Sequence, residues 1–253
     1  AWASGYKTVY KNVGDIEVKG LEFSVNTQNI SSKLFTWNTN FNIAFTKGKV
    51  NRLTDDAEYF YAGGNADLFI VKVGDRLGGM YGYLQDGIYN SHEELYNGPT
   101  NPVLTVTAGA RRYKDISGPD GKPDGIVNAA YDRTVLGNGN PKFMGGFNNE
   151  FRLGPVDLSM LFTFVYGNSI MNKYEYYYMM ANSWQGGPEA MYKYHWTHQN
   201  PQVNELLWSN SYGNEYTNLT SYQIQDGSYL RLKNLMLGYN FPVSKFSNLG
   251  FTK

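Results

Sequence analysis

The sequence feature that most constrains the fold is a strict two-residue alternation from Leu34 to Thr46. One parity is largely apolar, and the other carries Thr, Asn and Ala; the apolar parity holds Phe35, Trp37, Phe41, Ile43 and Phe45, with Thr39 among them. Because successive side chains of a strand point to opposite faces, this pattern predicts a two-faced β-strand. Globular strands most often have about 5–6 residues, whereas a tilted membrane strand needs about 9–11. The length of the segment therefore favours a strand that crosses a membrane.

The same alternation recurs along the chain, at 20–27, 147–153, 156–166 and from 229 onward. Short turns are expected near 30, 154 and 243, and long connections span about 47–141 and 167–221. Outer-membrane barrels show this asymmetry, with short periplasmic turns and long extracellular loops. The pattern thus predicts an all-β fold, part of a large antiparallel transmembrane β-barrel with about six strands here and long extracellular loops.

The amino-acid composition excludes some classes of partner and site and favours others. The chain has 22 basic and 22 acidic residues, a formal net charge of zero and no run of Lys or Arg, which argues against nucleic acid as a partner. It contains no Cys, which excludes a disulfide scaffold and a thiolate metal site. The 22 Tyr residues suit surfaces that are partly apolar and partly wet, such as membrane interfaces and sugar-binding faces.

Several segments resemble, in family order, motifs of the SusC-type TonB-dependent transporters. They are Gly14–Glu22, Phe35–Asn42, Val73–Tyr83, Val135–Phe143 and Asp226–Asn234. The first resembles the family's NxGxxxNKGxE strand with Val18 where Asn is usual, and the last resembles its D-G-S-Y-L-R-L-K-N strand. The matches run from about residue 12 to 243, so the resemblance covers nearly the whole chain.

This resemblance implies a transporter of the bacterial outer membrane rather than an enzyme. The family imports oligosaccharides, sometimes peptides, together with a SusD-like surface lipoprotein, and takes its energy from an inner-membrane TonB complex that acts on a plug domain. Family members are much longer than 253 residues. We therefore expect residues 1–253 to be a C-terminal part of the barrel, with the plug domain and the final strands absent.

An acidic loop is the candidate metal site. Residues 120–128 read D-G-K-P-D-G-I-V-N, which resembles the family's D-x-N-G-D-G-x-I loop and the first part of an EF-hand loop. Ca²⁺ prefers several converging oxygens, so Asp120, Asp124 and Asp132 are the predicted ligands. Lys122 stands where Asp or Asn is usual, and no Glu occupies the twelfth position. The alternative is a solvated Asp/Gly turn without a metal.

An aromatic loop from 174 to 208 is the candidate ligand site, and within it we select Trp184, Tyr194, Trp196 and Trp208. Flat aromatic faces can stack on sugars, and the intervening amides can bond to hydroxyl groups. The alternative is that these rings only pack the loop or contact a partner lipoprotein.

Two other functions remain open at this point. One is a soluble β-sandwich that binds glycans, which predicts that the apolar faces are buried against each other. The other is a secreted β-rich hydrolase. The chain lacks a nucleophile motif, and its carboxylate pairs are adjacent in sequence and would point apart on an extended chain.

Overall fold

The computed structural model describes residues 12–63, 68–102, 107–172 and 218–241, and the single positions 189, 193, 196, 197 and 199. The chain divides into two compact units. We call Val18–Lys47, Pro141–Asn168 and Gly227–Lys253 the wall unit. The loop unit comprises Ala1–Glu17, Gly48–Asn140 and Ser169–Asp226.

Strands dominate the described chain. In order they are β1 (Gly14–Ser31), β2 (Phe35–Leu53), β3 (Tyr59–Ala62), β4 (Phe69–Lys72), β5 (Gly79–Tyr83), β6 (Gln85–Ile88), β7 (Arg111–Tyr113), β8 (Arg133–Asn138), β9 (Phe143–Leu153), β10 (Val156–Tyr166), β11 (Ser169–Met171), β12 (Ile224–Asp226) and β13 (Tyr229–Tyr239). A short helix α1 spans His92–Asn97, and single 3₁₀ turns span Thr54–Asp56 and Ser221–Gln223. Within the described ranges, no helix has the length and hydropathy needed to cross a membrane.

Five long strands form one sheet in the order β1-β2-β9-β10-β13. The pairs β2–β9, β9–β10 and β10–β13 are antiparallel. This confirms the predicted strands and the tight turn at Gly154–Pro155, where Gly154 has a φ of 56°, a conformation that favours glycine. β1 and β2 have 18 and 19 residues, longer than the alternation predicts. The expected strand from Phe246 lies outside the described residues.

β13 contains a bulge, and this bulge keeps its apolar side chains on one face although their two-residue spacing in the sequence is interrupted. Leu161 pairs with Asn234, but the next residue, Phe162, pairs with Leu232, so Lys233 has no partner in the register. One extra residue shifts the parity of a strand. Leu230 and Leu232 therefore share a face with Leu235, although the simple two-residue alternation would put them on opposite faces.

The loop unit contains sheets of its own. β3, β4, β5 and β8 form a four-stranded sheet in that order, and β6–β7 and β11–β12 form two-stranded sheets. One core cluster joins Leu68, Met80 and Leu219. A second contains Val127 and the stacked rings of Tyr83 and Tyr113, whose centroids are 4.6 Å apart. The long connection after β2 is thus a folded structure.

Every buried hydrophobic side chain of the described residues lies in the loop unit; the set is Val50, Leu53, Leu68, Ile70, Met80, Tyr83, Ile88, Tyr89, Ala108, Ala110, Tyr113, Val127 and Leu219. Within the described residues, the part of the five-stranded sheet that belongs to the wall unit has no buried hydrophobic side chain.

Candidate functional site

One face of the wall sheet is apolar across its strands. The register places Phe41 beside Phe147, Phe147 beside Phe162 and Phe162 beside Leu232. Rings make cross-strand contacts along this face: Phe147 and Phe162 stack with centroids 4.7 Å apart, and Trp37 and Phe151 stack at 5.7 Å. Such aromatic pairs are the usual cross-strand stabilisers of a sheet.

This apolar face is uncovered. Leu21 is 68% exposed, Leu153 60% and Leu237 74%. None of the side chains at Phe35, Trp37, Phe41, Ile43 and Phe45 is buried, which contradicts the buried core that a soluble β-sandwich requires. A continuous exposed apolar face marks a protein or membrane contact, and its alternation with polar positions on every strand is the pattern of a lipid-facing barrel wall.

The opposite face of the same sheet is mixed: it is polar over most of β2 and β9, and it also carries the apolar side chains Ala44, Met144, Leu161, Val165 and Met236. It carries Asn38, Asn40 and Asn42 on β2 and Asn148, Glu150 and Arg152 on β9. Ser159 Oγ donates to Asn148 Oδ1 at 3.3 Å, and Asn148 Nδ2 donates to Glu150 Oε1 at 2.9 Å. Asn26, Gln28, Asn38, Asn40, Asn148 and Glu150 line a concavity of about 400 Å³ on the sheet. A face of this chemistry suits a wet barrel lumen.

A second, larger concavity of about 540 Å³ lies where β10 ends and β13 begins. Ala44, Met144, Val165 and Tyr229 give it an apolar part, and Glu22 adds a carboxylate. The two concavities therefore differ in chemistry: amides dominate the first, and apolar and aromatic groups contribute more to the second.

The acidic loop is organised around Asp132, which is fully buried. Its Oδ1 accepts hydrogen bonds from the backbone N–H groups of Ile116 at 2.8 Å and Ser117 at 3.2 Å. Its Oδ2 accepts from the N–H of Asn128 at 2.7 Å. Charge-assisted bonds of this kind are strong. Asp132 therefore acts as an anchor that holds two segments of the loop together.

The other predicted metal ligands are placed differently. Asp120 is exposed, and Asp124 Oδ1 accepts from the N–H of Ile126 at 2.9 Å. Asp115, a possible additional ligand on the sequence evidence, accepts a hydrogen bond from the N–H of Gly125 at 2.6 Å through Oδ2. No group of three or more His, Asp or Glu side chains in the described part of the chain could hold a metal. Metal binding by Asp120, Asp124 and Asp132 therefore stays a prediction.

Of the four aromatic residues selected for ligand contact, only Trp196 can be placed; Trp184, Tyr194 and Trp208 lie outside the described residues. Trp196 is half-buried, and its ring packs against the backbone of Gly109, where a Cβ atom would lie 2.6 Å from the ring. Gly109 also has a φ of 89°, so two constraints favour glycine there. This contact supports a packing role for Trp196, and the ligand-binding prediction for the four residues stays untested.

An aromatic row in the loop unit was not predicted. Tyr59 and Tyr61 have ring centroids 5.2 Å apart, and Tyr61 and Tyr81 stack at 5.5 Å. The guanidinium of Arg133 lies 4.6 Å from the Tyr81 centroid, within cation–π range. Burial, reinforced by Tyr81 and Tyr59, raises the pKa of Tyr61 above its ordinary value. The two-residue spacing of Tyr59 and Tyr61 would have indicated two rings on one face of a strand, but both residues lie in the long connection that was expected to be a loop.

The chain is similar to parts of much longer proteins. It is 31% identical to TonB-dependent receptor P3 of Formosa agariphila, covering 98% of this chain and 24% of that protein. It is 26% identical to TonB-dependent receptor SusC of Bacteroides thetaiotaomicron, over 91% of this chain and 21% of SusC. A solved structure described as the RagAB peptide transporter superposes with a TM-score of 0.73 and 19% identity, over 98% of this chain and 25% of that one. No family model matches. The chain spans about a quarter of the length of the curated relatives it matches.

Proposed function

We propose, from the premise that this chain is related over nearly its whole length to the SusC-type TonB-dependent receptors, that it serves active import across the bacterial outer membrane without catalysis. The chain is a segment of an outer-membrane β-barrel with an antiparallel wall. Its five-stranded sheet contributes a sector of that wall. The long connections, about 47–141 and 167–221, would lie on the extracellular side.

A single observation carries this proposal: within the described residues, the wall sheet has an exposed apolar face and a second face that carries most of its Asn, Glu and Arg side chains. Burying apolar area is the main driving force of folding, so a soluble protein would cover such a face. Lipid covers it in a barrel, because a closed sheet satisfies its backbone internally and turns alternate side chains to lipid and lumen.

The cargo and partners belong to the proposal as well. We expect oligosaccharides, with peptides as the second class, to be taken up together with a SusD-like surface lipoprotein. Energy would come from a TonB complex that acts on a plug region of the whole protein. The amide and hydroxyl groups that line the concavity beside Asn38, Asn40 and Asn148, with Glu150 as its one charged residue, are compatible with neutral polyhydroxyl cargo.

Uptake by living cells tests the proposal. A strain that lacks the whole gene is compared with its parent, and with a strain that lacks TonB, for uptake of labelled neutral oligosaccharides and of labelled peptides. We expect one cargo class to be lost in both mutants and restored by the intact gene. Uptake that persists without TonB, or fractionation of the protein with soluble proteins, would contradict the proposal.

A further inference from the structure

Two lysines lie opposite each other on β1 and β2, where the apolar face of the wall sheet ends. The two strands are neighbours in the sheet, and the short turn at 32–34 joins them as an antiparallel hairpin. Asn40 Nδ2 donates to Asn26 Oδ1, which fixes their register. Seven residues further along each strand, this register places Lys19 opposite Lys47.

Both lysines continue the parity of the apolar face. Lys47 follows Phe45 by two residues, and Lys19 precedes Leu21 by two residues, so the four side chains point to the same side of the sheet. Leu21 is 68% exposed and Phe45 40%, and both lysines are exposed as well. At about 3.4 Å per residue and a tilt of about 45°, the lysine on β2 lies about 5 Å beyond the last apolar ring. This is the end of the sheet away from the short turns, which is the extracellular edge in the proposed placement.

A third lysine lies at the same edge, beside a row of aromatic rings. Phe45 pairs with Phe143, and Phe143 pairs with Tyr166; the ring centroids of these pairs are 5.8 Å and 4.9 Å apart. Lys142 directly precedes Phe143, and its Nζ lies 6.0 Å from the centroid of the Tyr166 ring. Tyr and Trp rings gather at the level of lipid headgroups, and a Lys side chain can lay its apolar stem along such a surface while its ammonium group stays in water.

The positive charge of this edge favours an anionic partner. Like charges directly opposite each other on neighbouring strands are destabilising, and Lys19 and Lys47 form such a pair. The next facing pair of the same parity is Glu17 and Lys49, so the two pairs together carry three lysines and one glutamate. A phosphate group that bridges Lys19 and Lys47 would relieve their repulsion and accept charge-assisted hydrogen bonds from both.

We propose that Lys19, Lys47 and Lys142 bind the phosphate groups of lipid A, the phosphorylated glycolipid of the outer leaflet of the outer membrane. The inference rests on the proposed placement of the wall sheet in that membrane. Lipid A fits both parts of the surface, because its phosphates lie at headgroup level while its acyl chains cover apolar side chains such as Leu21 and Phe45. A free phosphate ion would contact only the charges, and exposed ion pairs contribute little in water. The lipid, in contrast, is held beside the lysines by its own chains.

Native mass spectrometry of the whole protein in detergent measures this binding, with purified lipid A as the probe. We expect the double variant Lys19→Gln/Lys47→Gln to bind lipid A on the order of tenfold more weakly than the parent, because each lysine near an anionic lipid surface adds to the affinity. Lys142→Gln should weaken binding further. Lys33→Gln is the matched control, since Lys33 is exposed in the short turn at the other end of the sheet, and it should leave the affinity unchanged.

Two competitors identify the chemistry of the ligand. Dephosphorylated lipid A should bind to the parent about as weakly as lipid A binds to the double variant, and an excess of inorganic phosphate should leave lipid A in place. Equal affinity of the parent and the double variant for lipid A, equal affinity of the parent for the dephosphorylated lipid, or displacement by inorganic phosphate would each overturn the inference.

A charge-preserving variant and an uptake assay separate this inference from the proposed function. Lys19→Arg/Lys47→Arg should retain the affinity for lipid A, so a loss of binding in this variant too would contradict the charge argument even if the Gln variant folds poorly. The same strains report localisation and TonB-dependent uptake. Intact uptake with no dependence of lipid binding on the lysines would contradict the lipid site alone, whereas a native protein absent from the outer membrane would contradict the proposed function as well.

Discussion

Replacing Asp132 by Asn should loosen the acidic loop selectively. The amide can keep one oxygen toward the N–H groups of Ile116 and Ser117, but its NH₂ group then faces the N–H of Asn128. A buried donor without an acceptor costs about 1–3 kcal/mol, and the two remaining bonds lose their charge assistance, so a local loss of about 3 kcal/mol follows. That loss corresponds to roughly a 100-fold increase in the open population of the loop.

Amide hydrogen exchange, read by mass spectrometry on the whole protein in detergent, measures this opening directly. Exchange of the amides at Ile116, Ser117 and Asn128 should accelerate by roughly 100-fold in Asp132→Asn. Asp120→Asn is the matched control, since Asp120 is exposed and should leave exchange unchanged. The measurement also tests the metal prediction. If Ca²⁺ slows exchange of these amides in the native protein, and if this slowing is lost in both Asp120→Asn and Asp132→Asn, the anchor role argued for Asp132 is refuted.

Three further changes have defined outcomes. Gly82→Ala should destabilise the loop unit, because a Cβ atom there would lie 2.1 Å from the carbonyl oxygen of Leu219, and proteolysis of the loops on intact cells should become faster. Burial raises the pKa of Tyr83, so the contribution of this side chain to stability is complete below about pH 10 and falls as the pH rises further. In a pH titration followed by tyrosinate absorbance, Tyr83 should ionise at a higher pH than an exposed tyrosine. Tyr83→Phe should remove the contribution of Tyr83 to that late rise in absorbance. Phe41→Arg should lower barrel stability by about 2–4 kcal/mol in a denaturant titration, whereas Asn40→Arg on the lumen face should change it little.

The alternation of the sequence was sufficient to predict the wall sheet. From Phe35 to Phe45, and again in β9 and β10, side-chain parity and strand length depend only on local spacing, so the hairpin turn at Gly154 and the two faces followed directly. The β13 bulge was not predictable in the same way. The interruption of the apolar alternation at Lys233 can be identified as a bulge only when the register with β10 is known.

The loop unit was harder to predict because its contacts join residues distant in sequence. The Tyr83–Tyr113 stack and the packing of Gly82 against Leu219 depend on tertiary structure. Asp132 illustrates a different limit. Its spacing from Asp120 resembles that of ligands in a cation-binding loop, yet its carboxylate oxygens accept hydrogen bonds from backbone N–H groups. Sequence spacing alone does not distinguish a carboxylate that binds a metal from one that binds the backbone.

The central claim is that one parity of β2 faces lipid and the other faces the lumen. Single cysteines at Phe35, Phe41 and Ile43, and at Asn38, Asn40 and Asn42, can each carry a fluorophore in the whole protein reconstituted into vesicles that contain a lipid-borne quencher. We predict strong quenching at the first three positions and weak quenching at the other three. Equal quenching at the two sets of positions, or no quenching at Phe41 and Ile43, would show that this sheet does not form a membrane wall.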